Sequence, residues 1–173
     1  MKLALFGRGE MGAVLAERAR AAGHEIGAVL TSTDAAKNGD QLAAVLRGHD
    51  AAIDFSTAAA VLAHAAACAR AGVALVEGTT GWRDREGAVR GAVEAGRGAL
   101  VYGANFSIGA NLFFRLATRA AELFRGFPEY DPFIEEAHHA AERGAGGCAT
   151  SSAPHQAAPS PWRVRARDRK SVV

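Results

Sequence analysis

Gly7-Arg8-Gly9-Glu10-Met11-Gly12 has the spacing GxGxxG, directly after a short apolar run. This pattern suits a diphosphate. Gly7 permits a tight turn, Gly9 lets the backbone approach a pyrophosphate, and Gly12 lets the following helix lie close to the strand. The phosphates would rest on free N–H groups at that helix's N-terminus. Two later loops offer suitable polar groups. Glu77-Gly78-Thr79-Thr80-Gly81 supplies hydroxyls and N–H groups, and Gly78 permits close backbone approach. Gly103-Ala104-Asn105-Phe106-Ser107 supplies an amide that could bond a carboxamide such as that of nicotinamide, beside a ring that could pack on it. Plainer uses stand beside these. Asn105 could cap a helix, Phe106 could be core, and either loop could be an ordinary strand-to-helix turn.

An acidic residue about 20 positions beyond the glycines usually reads the ribose of NAD. Here the second apolar run ends in Leu30-Thr31-Ser32-Thr33-Asp34. Asp34 is near that position, and Lys37 could serve a 2′-phosphate, so NADH and NADPH both stand as cofactors. Further on, Glu135-Glu136-Ala137-His138-His139 places two histidines side by side. On a strand such neighbours face opposite sides, so one could act as an acid or base while the other packs or binds. They would not converge on one ion, and no cysteine or third histidine is placed to complete a metal site, so no metal is expected.

These residues need elements to carry them. Apolar runs at residues 2–6, 25–30, 51–55, 73–76 and 99–102 read as strands. Helical periodicity covers residues 11–22, 40–47, about 58–71, 84–95 and 108–124. Ser56 or Thr57 is the expected cap of the third helix, and Asn105 or Ser107 that of the fifth. Residues 133–138 read as a strand opening something new. Strands alternating with helices make βαβ units, a parallel sheet and helices on both faces. The fold class is α/β, a Rossmann-like doubly wound sheet followed by the start of an incomplete α+β domain.

Composition limits the partners. Of 173 residues 49% are hydrophobic, and the net charge is +2, which suits a globular protein and argues against a nucleic-acid surface. No apolar run approaches the roughly 20 residues of a membrane helix, and the N-terminus has no signal-peptide core. Two cysteines are too few for a disulfide framework. A cytoplasmic protein is expected. From about Arg143 the chain turns rich in Gly, Ser, Ala and Pro and then in Arg, which reads as a disordered tail.

GRGEMG, DAAIDFS, LVEGTTGW, NFSIGANLFF and EEAHH occur in that order. Together they resemble dihydrodipicolinate reductase, also called 4-hydroxy-tetrahydrodipicolinate reductase, over roughly residues 1–141. The resemblance implies an NAD(P)H-binding domain at residues 1–105 and the start of a substrate and tetramerisation domain at 106–142, with 143–173 a non-family tail. It implies reduction of a cyclic dicarboxylate imine in lysine and diaminopimelate biosynthesis, by a homotetramer. It places Gly7, Arg8, Gly9, Glu10, Met11 and Gly12 at the pyrophosphate. Gly78, Thr79 and Thr80 would line the nicotinamide, with Gly103, Ala104, Asn105 and Phe106 beside them. His138 matches the catalytic histidine and His139 its substrate-binding neighbour.

After the histidines this chain departs from the family. Where the family has a proton-donating lysine, Glu142 stands here, and its Asp-Ala-Pro-Ser-Gly-Thr run falls on Gly144, Ala145, Gly146, Gly147, Cys148 and Ala149. An acid facing a dicarboxylate repels it. Losing the Ser-Gly-Thr donors removes charge-assisted bonds worth about 1.5–3 kcal/mol each. The pattern reads as a family sequence truncated or frameshifted after about residue 141. Two readings stand: an NAD(P)H-dependent reductase, and a truncated chain that only binds the nucleotide.

Overall fold

The protein, seen in a computed structural model, is described over residues 1–130, 133–139 and 163–169, the latter two stretches as backbone. Two units are distinct, one spanning Met1–Gly103 and one beginning at Ala104. Among the described residues no helix is long and apolar enough to cross a membrane.

In the first unit, β1 (Lys2–Phe6), β2 (Glu25–Leu30), β3 (Ala51–Asp54), β4 (Ala74–Glu77) and β5 (Leu100–Tyr102) form one sheet in the order β2-β1-β3-β4-β5. Every neighbouring pair is parallel. The helices between them are α1 (Glu10–Ala21), α2 (Gly39–Leu46), α3 (Val61–Ala71) and α4 (Glu86–Ala95). The step from β1 to β2 runs toward one edge, and every later step runs toward the other. Right-handed crossovers therefore set α1 on one face and α2, α3 and α4 on the opposite face. The packing of α2 on α3 and of α3 on α4 agrees with this. The doubly wound α/β sheet expected from the alternation of elements is the one observed, and its order reverses between β1 and β3.

The core lies between the sheet and the three-helix layer. Phe6, Leu30, Leu42, Leu46, Val61, Leu75, Trp82 and Val89 are buried together there. Alanine at positions 52, 65 and 67 lets α3 approach the strands closely. The face carrying α1 is more open: Gly12 is the buried residue of that helix, and Val29 and Val101 remain exposed.

Two elements begin or occur where the sequence reading does not put them. The third helix starts at Val61 after a turn, with Ala60 as its cap. Ser56 and Thr57 do not cap it. The Ser56 N–H instead turns back onto Asp54 Oδ1 at 2.8 Å, an Asx turn that competes with helix formation. In the second unit, α5 (Ile108–Phe124) is capped by the Ser107 hydroxyl, which accepts from the Ala110 N–H. There β6 (Phe133–His139) pairs in parallel with β7 (Arg163–Arg169). Composition assigns residues 163–169 to a disordered tail, but a scan for apolar residues does not register that RVRARDR alternates with period two, as a strand requires. The rest of that expected tail lies outside the described residues.

Candidate functional site

The carboxyl ends of β1, β3 and β4 meet at an open crevice of about 280 Å³, lined by Met11, Phe55, Ser56, Thr57, Ala58, Gly78, Thr79 and Thr80. It sits where the strand order reverses, the place in an open parallel sheet where ligands bind.

Glycine chemistry shapes the first wall. Gly7 has φ +98° and lies against β3, where a Cβ would meet the Phe55 carbonyl oxygen at 2.6 Å. A Cβ on Gly12 would strike the Gly7 carbonyl oxygen, so α1 approaches the turn only because both residues lack side chains. At Gly9 a Cβ would meet nothing within 4 Å. Gly9 is the N-cap of α1 and provides no side-chain hydrogen bond. The first N–H groups of α1 thus keep their donors for an anion in the space beside Gly9. Arg8, Gly9, Glu10 and Met11 are exposed at this turn.

The second wall is the loop after β4. Phe55 packs on Gly78, where an added Cβ would enter its ring. The Gly78 N–H donates to the Asp54 carbonyl at 2.9 Å, the Gly103 N–H to the Glu77 carbonyl at 3.2 Å, and the Phe55 N–H to the Phe6 carbonyl at 3.0 Å. Trp82 Nε1 donates to the Thr79 carbonyl at 2.7 Å, which closes the loop over the core. Arg85 bonds the Ala58 carbonyl at 2.5 Å and holds the crevice's third side.

A polar cluster lies beneath. Asp54 and Glu77 are both 0% exposed. The Ser56 N–H and the Thr79 hydroxyl reach Asp54 Oδ1 at 2.8 and 3.4 Å, and His64 Nδ1 lies 2.6 Å from Asp54 Oδ2. The His64 ring stacks on Phe6, centroids 3.9 Å apart. The Thr79 N–H donates to Glu77 Oε1 at 2.7 Å. Sequence reasoning missed Asp54, His64 and Glu77. The available signal was an acid closing each of two apolar runs, in AAID and ALVE.

Of the residues singled out in the sequence, Met11, Gly78, Thr79 and Thr80 line the crevice, and Gly7 and Gly12 pack against each other in the turn that leads into α1. Gly103 is joined to the end of β4. Asp34 and Lys37 engage each other: Lys37 Nζ lies 2.5 Å from Asp34 Oδ1, and the Thr31 N–H donates to Oδ2 at 2.8 Å. The Lys37 hydrogen bond and then the Thr31 N–H hold the Asp34 carboxyl below its ordinary value. Ala104, Asn105 and Phe106 belong to the second unit. Asn105 Oδ1 accepts from the Ser107 N–H at 2.8 Å in the turn entering α5, and Phe106 is 48% exposed instead of core. His138 and His139 fall on β6, at the register positions of Asp168 and Arg169 on β7. Glu142 and residues 144–149 lie outside the described residues.

Known proteins resemble this arrangement. A relative from Christiangramia forsetii named 4-hydroxy-tetrahydrodipicolinate reductase is 34% identical over 139 residues, covering 80% of this chain and 56% of the relative. One of the same name from Chromobacterium violaceum is 44% identical over 79 residues, covering 45% of this chain and 28% of the relative. The chain thus matches about half the length of the first of these relatives. A solved structure described as dipicolinate-bound dihydrodipicolinate reductase from Paenisporosarcina sp. TG-14 shares the fold. Its TM-score is 0.67 at 20% identity, over 97% of this chain and 78% of that one. The family model described as the N-terminus of dihydrodipicolinate reductase matches residues 1–106. The chain therefore belongs to the dihydrodipicolinate reductase family.

Proposed function

We propose that the first unit binds NADH or NADPH across the β1/β3 switch point, and that the whole protein reduces 4-hydroxy-tetrahydrodipicolinate in lysine and diaminopimelate biosynthesis. One observation carries the reading: the α1 N-terminus, lacking a side-chain cap, and the Gly78–Thr80 loop converge on one crevice at the reversal of a parallel sheet.

The N–H groups from Gly9 to Gly12 would hold the pyrophosphate, with Arg8 beside it as an exposed cation. Gly78, Thr79 and Thr80 would offer backbone and hydroxyl groups toward the nicotinamide, and Gly103, tied to the end of β4, leads the chain from β5 into Ala104, Asn105 and Phe106. A bound reduced nicotinamide supplies hydride. Protein groups orient the dicarboxylate and deliver a proton. His138 is proposed as the catalytic histidine and His139 as its substrate-binding neighbour. The full-length assembly is a homotetramer in this reading, working in the cytoplasm.

A second reading rests on Glu142, which stands where the family's lysine is expected, and on the absent Ser-Gly-Thr turn. Under it these 173 residues bind the nucleotide without turnover. Both readings predict saturable quenching or enhancement of NADH or NADPH fluorescence, abolished by Gly12→Trp. Unchanged nucleotide fluorescence in the wild type sinks both. Substrate-dependent oxidation of NAD(P)H by the same chain selects the first, and its absence alongside tight binding selects the second.

A further inference from the structure

Beneath the crevice are two acids that nucleotide binding does not use. Asp54 and Glu77 end β3 and β4 and face each other in register. Both are wholly buried, yet their hydrogen-bond donors are unequal. Asp54 is met by the Ser56 N–H, the Thr79 hydroxyl and His64. Glu77 receives the Thr79 N–H on Oε1, and its Oε2 has no donor among the described residues. A buried carboxylate oxygen without a donor or counter-ion is strongly disfavoured. A proton on that oxygen removes the charge and makes the group a donor. Asp54, its register partner on the neighbouring strand, is the acceptor at hand.

We propose that Glu77 is a positioning residue held protonated in the fold, and that its hydrogen bond to Asp54 joins the ends of β3 and β4 and sets the Gly78–Thr80 loop at the crevice. The consequence for nucleotide affinity rests on the binding reading above; the protonation itself does not. Two adjacent carboxyls in one dry site do not both ionise, and Glu77 is the one with fewer donors to stabilise a charge.

The surroundings agree. Burial, and then the neighbouring Asp54, push Glu77 up to about 8. Burial, then Asp54 and Glu77, push the Cys68 thiol of α3 up to about 12. The other groups packed around Glu77 are His64 of α3, committed to Asp54, and Thr79 of the loop. Tyr102 of β5 stands opposite Glu77 in register, with its hydroxyl donating to Glu86 at 2.6 Å. Among the described residues no ion pair includes Glu77. Because the folded value is raised from 4.5 to about 8, the fold's gain from the neutral acid is complete at low pH and is lost as pH climbs through that interval.

The test uses the full chain as wild type, Glu77→Gln and Asp54→Asn, with melting temperature and NADH affinity read from pH 6 to pH 10. If only the protonated form sets the loop, wild-type Kd rises about 10-fold between pH 7 and pH 9, and melting temperature falls with it. Glu77→Gln keeps a neutral donor toward Asp54 and should flatten both profiles. The infrared spectrum of wild type should show a protonated-carboxyl band near neutral pH that disappears at high pH. That band should be missing from Glu77→Gln and from Asp54→Asn, whose amide can itself donate to Glu77. The infrared reading on wild type decides the matter even where a variant does not fold. Absence of the band, or parallel melting profiles in wild type and Glu77→Gln, overturns the proposal. If the band and melts behave as expected while NADH never binds, the nucleotide reading fails and the protonated pair stands.

Discussion

Gly12→Ala and Gly91→Ala add the same methyl group to two helices and should move stability in opposite directions. Gly91 lies inside α4, exposed, with nothing within 4 Å of an added Cβ. There the substitution lowers unfolded-chain entropy and raises helix propensity, a gain of about 0.5–1 kcal/mol. Gly12 lies in the first turn of α1, buried, and its added Cβ would strike the Gly7 carbonyl oxygen. That oxygen cannot easily retreat. The Gly7 N–H is tied to the Leu30 carbonyl at 2.8 Å, and Gly7 itself is pressed against Phe55. Overpacking of this kind costs about 1–3 kcal/mol, against a propensity gain of at most about 1 kcal/mol. Contact with a held backbone oxygen calls for the upper half of that range, so the net change is a loss of about 1–2 kcal/mol. With a urea m-value of about 2 kcal/mol/M, the midpoint falls by about 0.5–1 M for Gly12→Ala and rises by about 0.25–0.5 M for Gly91→Ala. Nucleotide affinity should fall for Gly12→Ala and stay unchanged for Gly91→Ala, since only the first moves the turn. A Gly12→Ala protein as stable as Gly91→Ala would refute the claim that the turn and α1 are in forced contact.

Three other outcomes follow from the same geometry. Leu46→Ala, at a site with 0% exposure in the three-helix layer, should cost about 2–5 kcal/mol in urea denaturation. In a Cys148→Ser background, Cys68 should resist maleimide at pH 8 in the folded protein and react at once in urea, because it is 1% exposed and its thiol is pushed up to about 12. Trp82→Phe removes the donor to the Thr79 carbonyl and should lower stability by about 0.5–1.5 kcal/mol, measured by denaturation, with weaker NADH binding from a looser loop.

Periodicity and punctuation were readable directly. Apolar runs that stop at glycine or at an acid gave five strands within a residue or so of their observed bounds, and the amphipathic stretch 108–124 is α5. The glycine turn was readable because Gly7 needs a positive φ that other residues rarely adopt. Ser56 misled because its type favours helix caps, yet the preceding Asp54 captured its N–H first. Asp34 and Lys37 were legible as two separate candidates, but their pairing with each other was not, because residue type does not announce a partner.

The sequence by itself determined where strands and helices form and which residues close them, because backbone sterics and side-chain period act over a few residues. Only the tertiary structure decided which ends meet. Parallel pairing joins segments far apart in the chain, and an apolar strand carries no label naming its neighbour. The order β2-β1-β3-β4-β5 brings Gly7 against Phe55 and opens the crevice. The register of β3 on β4 sets Asp54 opposite Glu77. Their burial, and hence the chemistry of the pair, follows from that alignment and from the layer of helices that excludes water above it.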